Sequence, residues 1–200
     1  MNRRFLLIPL ILLSTGCMPR LCSYAPGEQD SGASRLSDLP FQPSPPSDQL
    51  YRFIHLRNPW LQEGPARRIA DGIKLESESH KVDARLVAAV ISVESSFNTR
   101  AVSPTGAKGL GQFISSTAKD MGITDPFDPD QGVRATARYV SWLLKSWQGH
   151  PRRLEMAIVS YSAGIGTLKK QQQNNQSFNE EQKQYLERVL KMYKAIDGKG

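Results

Sequence analysis

Glu94 is the residue of this chain whose setting best suits acid–base chemistry. It follows a run from Leu86 to Val93 that is apolar on almost every side, which predicts a buried helix. A carboxyl group at the C-terminal end of such a helix lies near the negative end of the helix dipole and in poorly hydrated surroundings, and both effects raise its pKa. A carboxylic acid that holds its proton near neutral pH can act as a general acid, so Glu94 is the candidate catalytic residue. For a lone glutamate, an exposed position on a last turn is the commoner alternative.

A glycine-rich loop follows Glu94 closely. The segment from Ser103 to Gln112 contains three glycines, which allow a backbone to adopt positive φ and to pass close to a ligand. Together with the segment from Glu94 to Phe97, it resembles the soluble lytic transglycosylase domain, whose motifs run E-S-x-F/W and then S-x-x-G-A-x-G-L-x-Q. Two later motifs of that family, A-Y-N-A-G and E-T-x-x-Y-V, have counterparts at Ser160 to Gly164 and at Glu181 to Leu186. The resemblance covers about residues 66–193.

Three positions depart from the family pattern. Gly111 stands where methionine is common, Ser162 replaces an asparagine, and Gln182 replaces a threonine. We expect Gly111 to leave less apolar bulk beside the loop. We expect Ser162 to leave a sugar-facing amide contact missing or water-mediated.

The resemblance implies an activity. Glu94 would protonate the glycosidic oxygen that leaves N-acetylmuramic acid and would then act as base toward that sugar's own 6-hydroxyl, giving a 1,6-anhydro ring. Tyr161 would hydrogen-bond near Glu94, and Glu181 would support it from behind. The expected substrate contacts and supporting residues are Ser103, Gln112, Ile114, Tyr161, Ser162 and Glu181. Other interpretations stay open: Tyr161 as a core aromatic, Gln112 as a cap of the next helix, and Glu181 as a favourable charge at a helix start.

The sequence leaves alternatives to this function. A goose-type lysozyme-like hydrolase would use the same fold and glutamate but add water, and ordinary glycosidases use a second carboxylate. No second carboxylate is evident near Glu94, since the next acid along the chain is Asp120. The domain could also be a non-catalytic peptidoglycan-binding part of a secretion or conjugation assembly. The formal charge of +7 suits a polyanion, but no motif supports nucleic-acid binding.

Composition and spacing point to no cofactor and no metal. The folded part contains no cysteine, the three histidines are scattered, and nucleotide-binding and zinc-protease motifs do not occur. The partner that the family resemblance implies is the peptidoglycan glycan strand.

The N-terminus predicts export. Basic residues, a short apolar run and small residues precede Cys17, which predicts a signal peptide over 1–16. The Gly-Cys pair also resembles a lipoprotein cleavage site, so Cys17 is the expected lipidation site, with simple secretion as the alternative. We expect a proline- and serine-rich flexible tether over 17–50 and a periplasmic catalytic domain over 51–197, anchored to the outer membrane.

The elements that must position these residues are helical. Apolar periodicity predicts helices from Pro65, from Ala84 to about Glu94, from Ser116 to Met121, and from Pro129 to Trp147. Two further helices begin at Pro151 and near residue 181, with the polar tract from Lys169 to Asn179 as a mobile loop between them. Trp142 and Trp147 are expected to pack in the core. The predicted fold is an all-α, lysozyme-like (goose-type) domain with a substrate cleft.

Overall fold

The computed structural model describes residues 44–197, and this part of the chain is all-helical, as the sequence predicts. The signal peptide, Cys17 and most of the predicted tether lie outside the described residues. None of the described helices has the length and apolar character needed to cross a membrane. Eight helices occur within 44–197: α1 Ser47–Arg57, α2 Glu63–His80, α3 Ala84–Ser95, α4 Ser115–Asp120, α5 Pro129–Ser146, α6 Arg153–Ala163, α7 Ile165–Gln173 and α8 Glu180–Ile196.

Helix α3 is the central element. Its first nine residues, Ala84 to Ser92, are all buried, and the helix packs against α1, α2, α5 and α8. Asp83 is its N-cap residue, since the Asp83 side chain accepts a hydrogen bond from the backbone N–H of Arg85. The helix ends abruptly, since Ser96 and Phe97 both adopt left-handed φ values of 48° and 59°. The buried ring of Phe97 packs edge-on against Phe53 of α1 and fixes this end.

Several helix boundaries differ from the sequence predictions. Helix α1 begins at Ser47, so the last four residues of the predicted tether are helical, and Leu50 is fully buried. Helix α2 begins two residues before Pro65, which stands in its first turn, where proline is tolerated. Helix α6 begins at Arg153 rather than at Pro151.

The prediction of a mobile loop from Lys169 to Asn179 is wrong for its first half. Residues up to Gln173 belong to α7. Leu168 is buried in an apolar cluster with Leu143, Trp147 and Met156, and Ile165 of the same helix packs against that cluster. Lysine and glutamine are good helix formers, so polarity alone did not indicate a loop here.

The glycine-rich segment forms a tight loop between α3 and α4. Its backbone closes on itself through bonds from the N–H of Gly109 to the carbonyl of Ala101 and from the N–H of Ser103 to the carbonyl of Ala107, both 2.9 Å. Gly109 has a φ of 73°, and a Cβ there would overlap the carbonyl of Pro126. The loop therefore requires glycine at this position and is held against the segment before α5.

Candidate active site

Glu94 lies on the last turn of α3, where its carboxyl group meets helix α8. Its Oε1 accepts a hydrogen bond of 2.5 Å from the hydroxyl of Tyr185, which is 5% exposed. Tyr185 lies within the family motif that the sequence shows at Glu181 to Leu186, but the sequence did not identify this contact. The two residues are 91 positions apart, so the packing of α3 against α8 creates the pair.

The surroundings of Glu94 favour its protonated form. Burial is the largest influence and raises the pKa of the carboxyl group, while the Tyr185 hydrogen bond and the charge of Arg188 lower it more weakly. The pKa of Tyr185 is raised well above its ordinary value by burial and by the charge of Glu94. Tyr185 therefore stays a phenol and a donor at any pH at which Glu94 can ionise.

Tyr161, on α6, is the second tyrosine whose pKa the charge of Glu94 influences. Its hydroxyl donates to the carbonyl of Gly111 at 2.9 Å, which joins α6 to the glycine-rich loop. Burial, followed by the charge of Glu94, raises the pKa of Tyr161 well above its ordinary value. The charge of Glu94 thus influences Tyr161, but the Tyr161 hydroxyl donates its hydrogen bond to the loop carbonyl of Gly111 and not to the carboxyl group of Glu94.

The two polar residues expected to contact substrate brace the loop internally. The Gln112 amide donates to the carbonyls of Gly109 at 2.8 Å and Ala101 at 3.2 Å. The Ser103 hydroxyl accepts from the N–H of Ala107 at 3.0 Å. Gln112 does not cap the next helix, because the residue at the N-cap of α4 is Ile114. Ile114 itself is 49% exposed and leaves apolar surface open beside the loop.

The electrostatic environment of Glu94 contains a cation and not a second acid. The guanidinium of exposed Arg188 lies 5.8 Å from the centre of the Tyr185 ring, and its charge acts on Glu94. Among residues 44–197, the groups that shift the pKa of Glu94 are Tyr185 and Arg188, and neither is an acid of the aspartate or glutamate type. The same residues contain no group of three or more histidine, cysteine or acidic side chains that could hold a metal.

A family model described as the transglycosylase SLT domain matches residues 72–184, more than half of the chain. The chain belongs to this family.

Curated relatives agree with this assignment over part of their length. Proteins named membrane-bound lytic murein transglycosylase F are 36% identical over 96 residues in Haemophilus influenzae, 35% over 131 residues in Alcanivorax borkumensis and 37% over 123 residues in Desulfosudis oleivorans. The matches cover 46%, 60% and 59% of this chain. They cover only 20%, 28% and 27% of the relatives, so the chain spans a minor part of their length.

Two solved structures of lytic transglycosylases share the fold of this chain. The 70 kDa soluble lytic transglycosylase of Escherichia coli aligns with a TM-score of 0.57 at 19% identity, over 76% of this chain and 30% of that one. An inactive mutant of the lytic transglycosylase Slt of Pseudomonas aeruginosa aligns with a TM-score of 0.55 at 22% identity, over 64% of this chain and 24% of that one. The predicted lysozyme-like helical fold is confirmed.

Two departures from the SLT pattern have structural explanations. Residue 111 is buried, and a Cβ there would overlap Thr136 Oγ1, lie 2.5 Å from the Phe113 ring and 2.9 Å from the Tyr161 hydroxyl. The expectation that Gly111 leaves less apolar bulk beside the loop is therefore wrong, because neighbouring side chains fill the space. Gln182 is buried and forms a capping box with Asn179 at the start of α8.

The structure does not bring Glu181 to Glu94. Glu181 is exposed in the first turn of α8, and in the described part of the chain it makes no hydrogen bond or ion pair. Tyr185, one turn later, is the α8 residue that reaches the carboxyl group. The position of Glu181 in the first turn fits the interpretation that its charge interacts favourably with the helix dipole. Ser162 is exposed near the end of α6.

Proposed function

We propose that this SLT domain is a peptidoglycan lytic transglycosylase, which cleaves the bond between N-acetylmuramic acid and N-acetylglucosamine without adding water. The observation that carries the proposal is the carboxyl group of Glu94, partly buried at the end of α3 and hydrogen-bonded by Tyr185 at 2.5 Å. The family assignment and the names of the curated relatives support the same reaction.

The first half of the reaction needs a proton at the leaving oxygen. Protonated Glu94 gives its proton to the glycosidic oxygen as the bond from that oxygen to C1 of N-acetylmuramic acid breaks. Burial favours the protonated form before this step. As the carboxylate forms, the Tyr185 hydroxyl stabilises it, because a hydrogen bond to an ionised acceptor is about twice as strong as a neutral one.

The second half returns the proton. The 6-hydroxyl of the same sugar attacks C1, and its proton goes to the carboxylate of Glu94, so the enzyme ends as it began and no water is consumed. This internal nucleophile makes a second carboxylate unnecessary, whereas an inverting hydrolase needs one to activate water. The surroundings of Glu94 fit a mechanism without a second carboxylate, since the charged side chain that influences the pKa of Glu94 is the cation Arg188.

The substrate contacts remain part of the proposal. We assign Ile114 and Ser162 to the surface that faces the strand, since both side chains are exposed near the loop and the end of α6. The glycine-rich loop is braced by the side chains of Ser103, Gln112 and Tyr161, and the glycan strand would contact the loop in this conformation. Glu181 takes no part in this scheme.

Mass spectrometry of the soluble products from purified peptidoglycan tests the proposal. Native protein is expected to release fragments ending in 1,6-anhydro-N-acetylmuramic acid, one water lighter than reducing ends, and Glu94→Gln to release none. Glu181→Gln is the matched control, because it makes the same change on an exposed glutamate, and it is expected to keep activity. Reducing ends would identify a lysozyme-type hydrolase, and an inactive native protein would favour a binding role in an envelope assembly.

We also propose that the domain works in the periplasm, held at the outer membrane by a lipid on Cys17. The order of charge, apolar run and Gly-Cys at the N-terminus supports this. Metabolic labelling with a radioactive fatty acid is expected to mark the native protein and not Cys17→Ser. Absence of label from the native protein would favour simple secretion.

A further inference from the structure

A chain of aromatic rings leads from the candidate active site to the surface. The ring of Tyr161 lies 5.2 Å from that of Tyr139, measured between centroids, and Tyr139 stacks on Trp142 at 5.6 Å with an interplanar angle of 12°. Phe113, beside the glycine-rich loop, lies 5.9 Å from Tyr161 and 6.0 Å from Tyr139. The rings thus form a continuous path along one face of α5.

The outer end of this path is open to solvent. Trp142 is 45% exposed, which corrects the expectation that it packs in the core. Trp147, the C-cap residue of α5, does pack: it is 5% exposed and its indole N–H donates to Ser160 at 2.9 Å. Trp142 therefore presents apolar surface to water, with its ring stacked on that of Tyr139.

Cations flank the exposed indole. Arg138 and Lys145 lie four residues before and three residues after Trp142, positions that adjoin it on a helix surface. Both side chains are exposed, and neither forms an ion pair with another described residue. Basic groups beside a flat apolar surface suit a strand of sugar rings that carries carboxylates.

We propose that Trp142, held by Tyr139, is an outer sugar-binding subsite of the SLT cleft, which stacks on a pyranose ring of the strand beyond the bond at Glu94. This inference rests on the proposed function, because it takes the glycan strand as the occupant. The continuity of the rings with Tyr161 assigns the surface to the same cleft, and the flanking cations match the charge of the strand.

The matched control is Trp60, the other strongly exposed tryptophan of the described part. It is 93% exposed on the segment between α1 and α2, beside a recess of about 590 Å³ that Arg57, Asn58, Ser95 and Asn98 help to line. It makes no ring contact with the aromatic path among residues 44–197. Trp60→Ala makes the same substitution as Trp142→Ala, at a more exposed tryptophan, but leaves the proposed subsite intact.

The experiment compares kcat/KM on long glycan strands and on the shortest fragment that the native protein cleaves. Trp142→Ala is expected to lower kcat/KM on long strands roughly three- to tenfold, mainly through KM, because it removes one aromatic stacking contact. It should leave the short fragment unaffected, and Trp142→Phe should restore most of the loss. An equal loss on both substrates would mean a structural role and would overturn the proposal, as would a loss with Trp60→Ala instead.

Binding separates this inference from the proposed function. Uncleaved strands titrated onto Glu94→Gln should bind several times more weakly when Trp142→Ala is added, and the folded state is checked by circular dichroism. If native protein cleaves nothing but the added change still weakens binding, the reaction is wrong and the subsite stands. If native protein gives anhydro ends while the two Glu94→Gln proteins bind equally, the subsite is wrong and the reaction stands.

Discussion

Replacing Gly111 with alanine adds one methyl group where three side chains already meet. The new Cβ would overlap Thr136 Oγ1 and lie 2.5 Å from Cε2 of Phe113 and 2.9 Å from the Tyr161 hydroxyl. Overpacking a buried site in this way costs about 1–3 kcal/mol of unfolding free energy. For a domain of this size each kcal/mol lowers Tm by about 2–4 °C, so Tm should fall by roughly 2–12 °C.

Activity should fall with stability, because the added methyl group displaces the Tyr161 hydroxyl from the Gly111 carbonyl. Gly72→Ala is the control: Gly72 lies inside α2, and its Cβ would meet Val133 at an ordinary 3.7 Å. Alanine there should stabilise by about 0.5–1 kcal/mol through helix propensity. Thermal denaturation measures both variants. A Gly111→Ala protein with native Tm and native activity would show that the packing around the loop is not as tight as described.

Three further predictions concern the electrostatics of Glu94. Tyr185→Phe removes a hydrogen bond to the forming carboxylate that is worth about 1.5–3 kcal/mol, so kcat/KM should fall about ten- to a hundredfold. Because the same hydrogen bond lowers the pKa of Glu94, the high-pH limb of the pH profile of kcat/KM should move to higher pH. Arg188→Met removes a cation that lowers the pKa of Glu94, so the same limb should also move upward. Glu94→Gln should raise Tm at pH 8, and the gain should vanish as pH falls toward 4.5, the ordinary value for glutamate.

The sign of the last prediction follows from linkage. The folded-state pKa of Glu94 is raised, so the folded state binds more protons than the unfolded chain above pH 4.5, and stability falls as pH rises through that window. Glutamine cannot ionise and escapes this loss. Lys194→Met, an equal charge change farther along α8, should leave the pH profile in place and is the control for Arg188. A downward shift of the high-pH limb in Arg188→Met or Tyr185→Phe would contradict the account of the pKa.

Sequence reasoning located Glu94 because the cause was local. The apolar run and the carboxylate at its end lie within a dozen residues, and α3 forms as predicted. The partner of Glu94 could not be found in this way. A motif puts Glu181 and Tyr185 on the same helix, but only the packing of α8 on α3 decides that Tyr185 contacts the carboxyl group.

Other errors share that origin. The start of a polar tract belongs to α7, because Ile165 and Leu168 of that helix pack in an apolar cluster with residues of α5 and α6. The space beside Gly111 was judged from the missing side chain alone, whereas Thr136 and Phe113 come from elsewhere in the chain to fill it. Likewise, Trp142 lies on α5 and Trp147 is its C-cap residue, and only the neighbouring elements decide which of them is buried.

Cleavage in water labelled with oxygen-18 tests the central claim most directly. If the 6-hydroxyl of N-acetylmuramic acid is the nucleophile, no label enters any product, and the new ends are 1,6-anhydro rings. If Glu94 instead directs water to C1, every new reducing end carries one labelled oxygen. The first result is the one that the site around Glu94, Tyr185 and Arg188 predicts, and label at the new ends would contradict it.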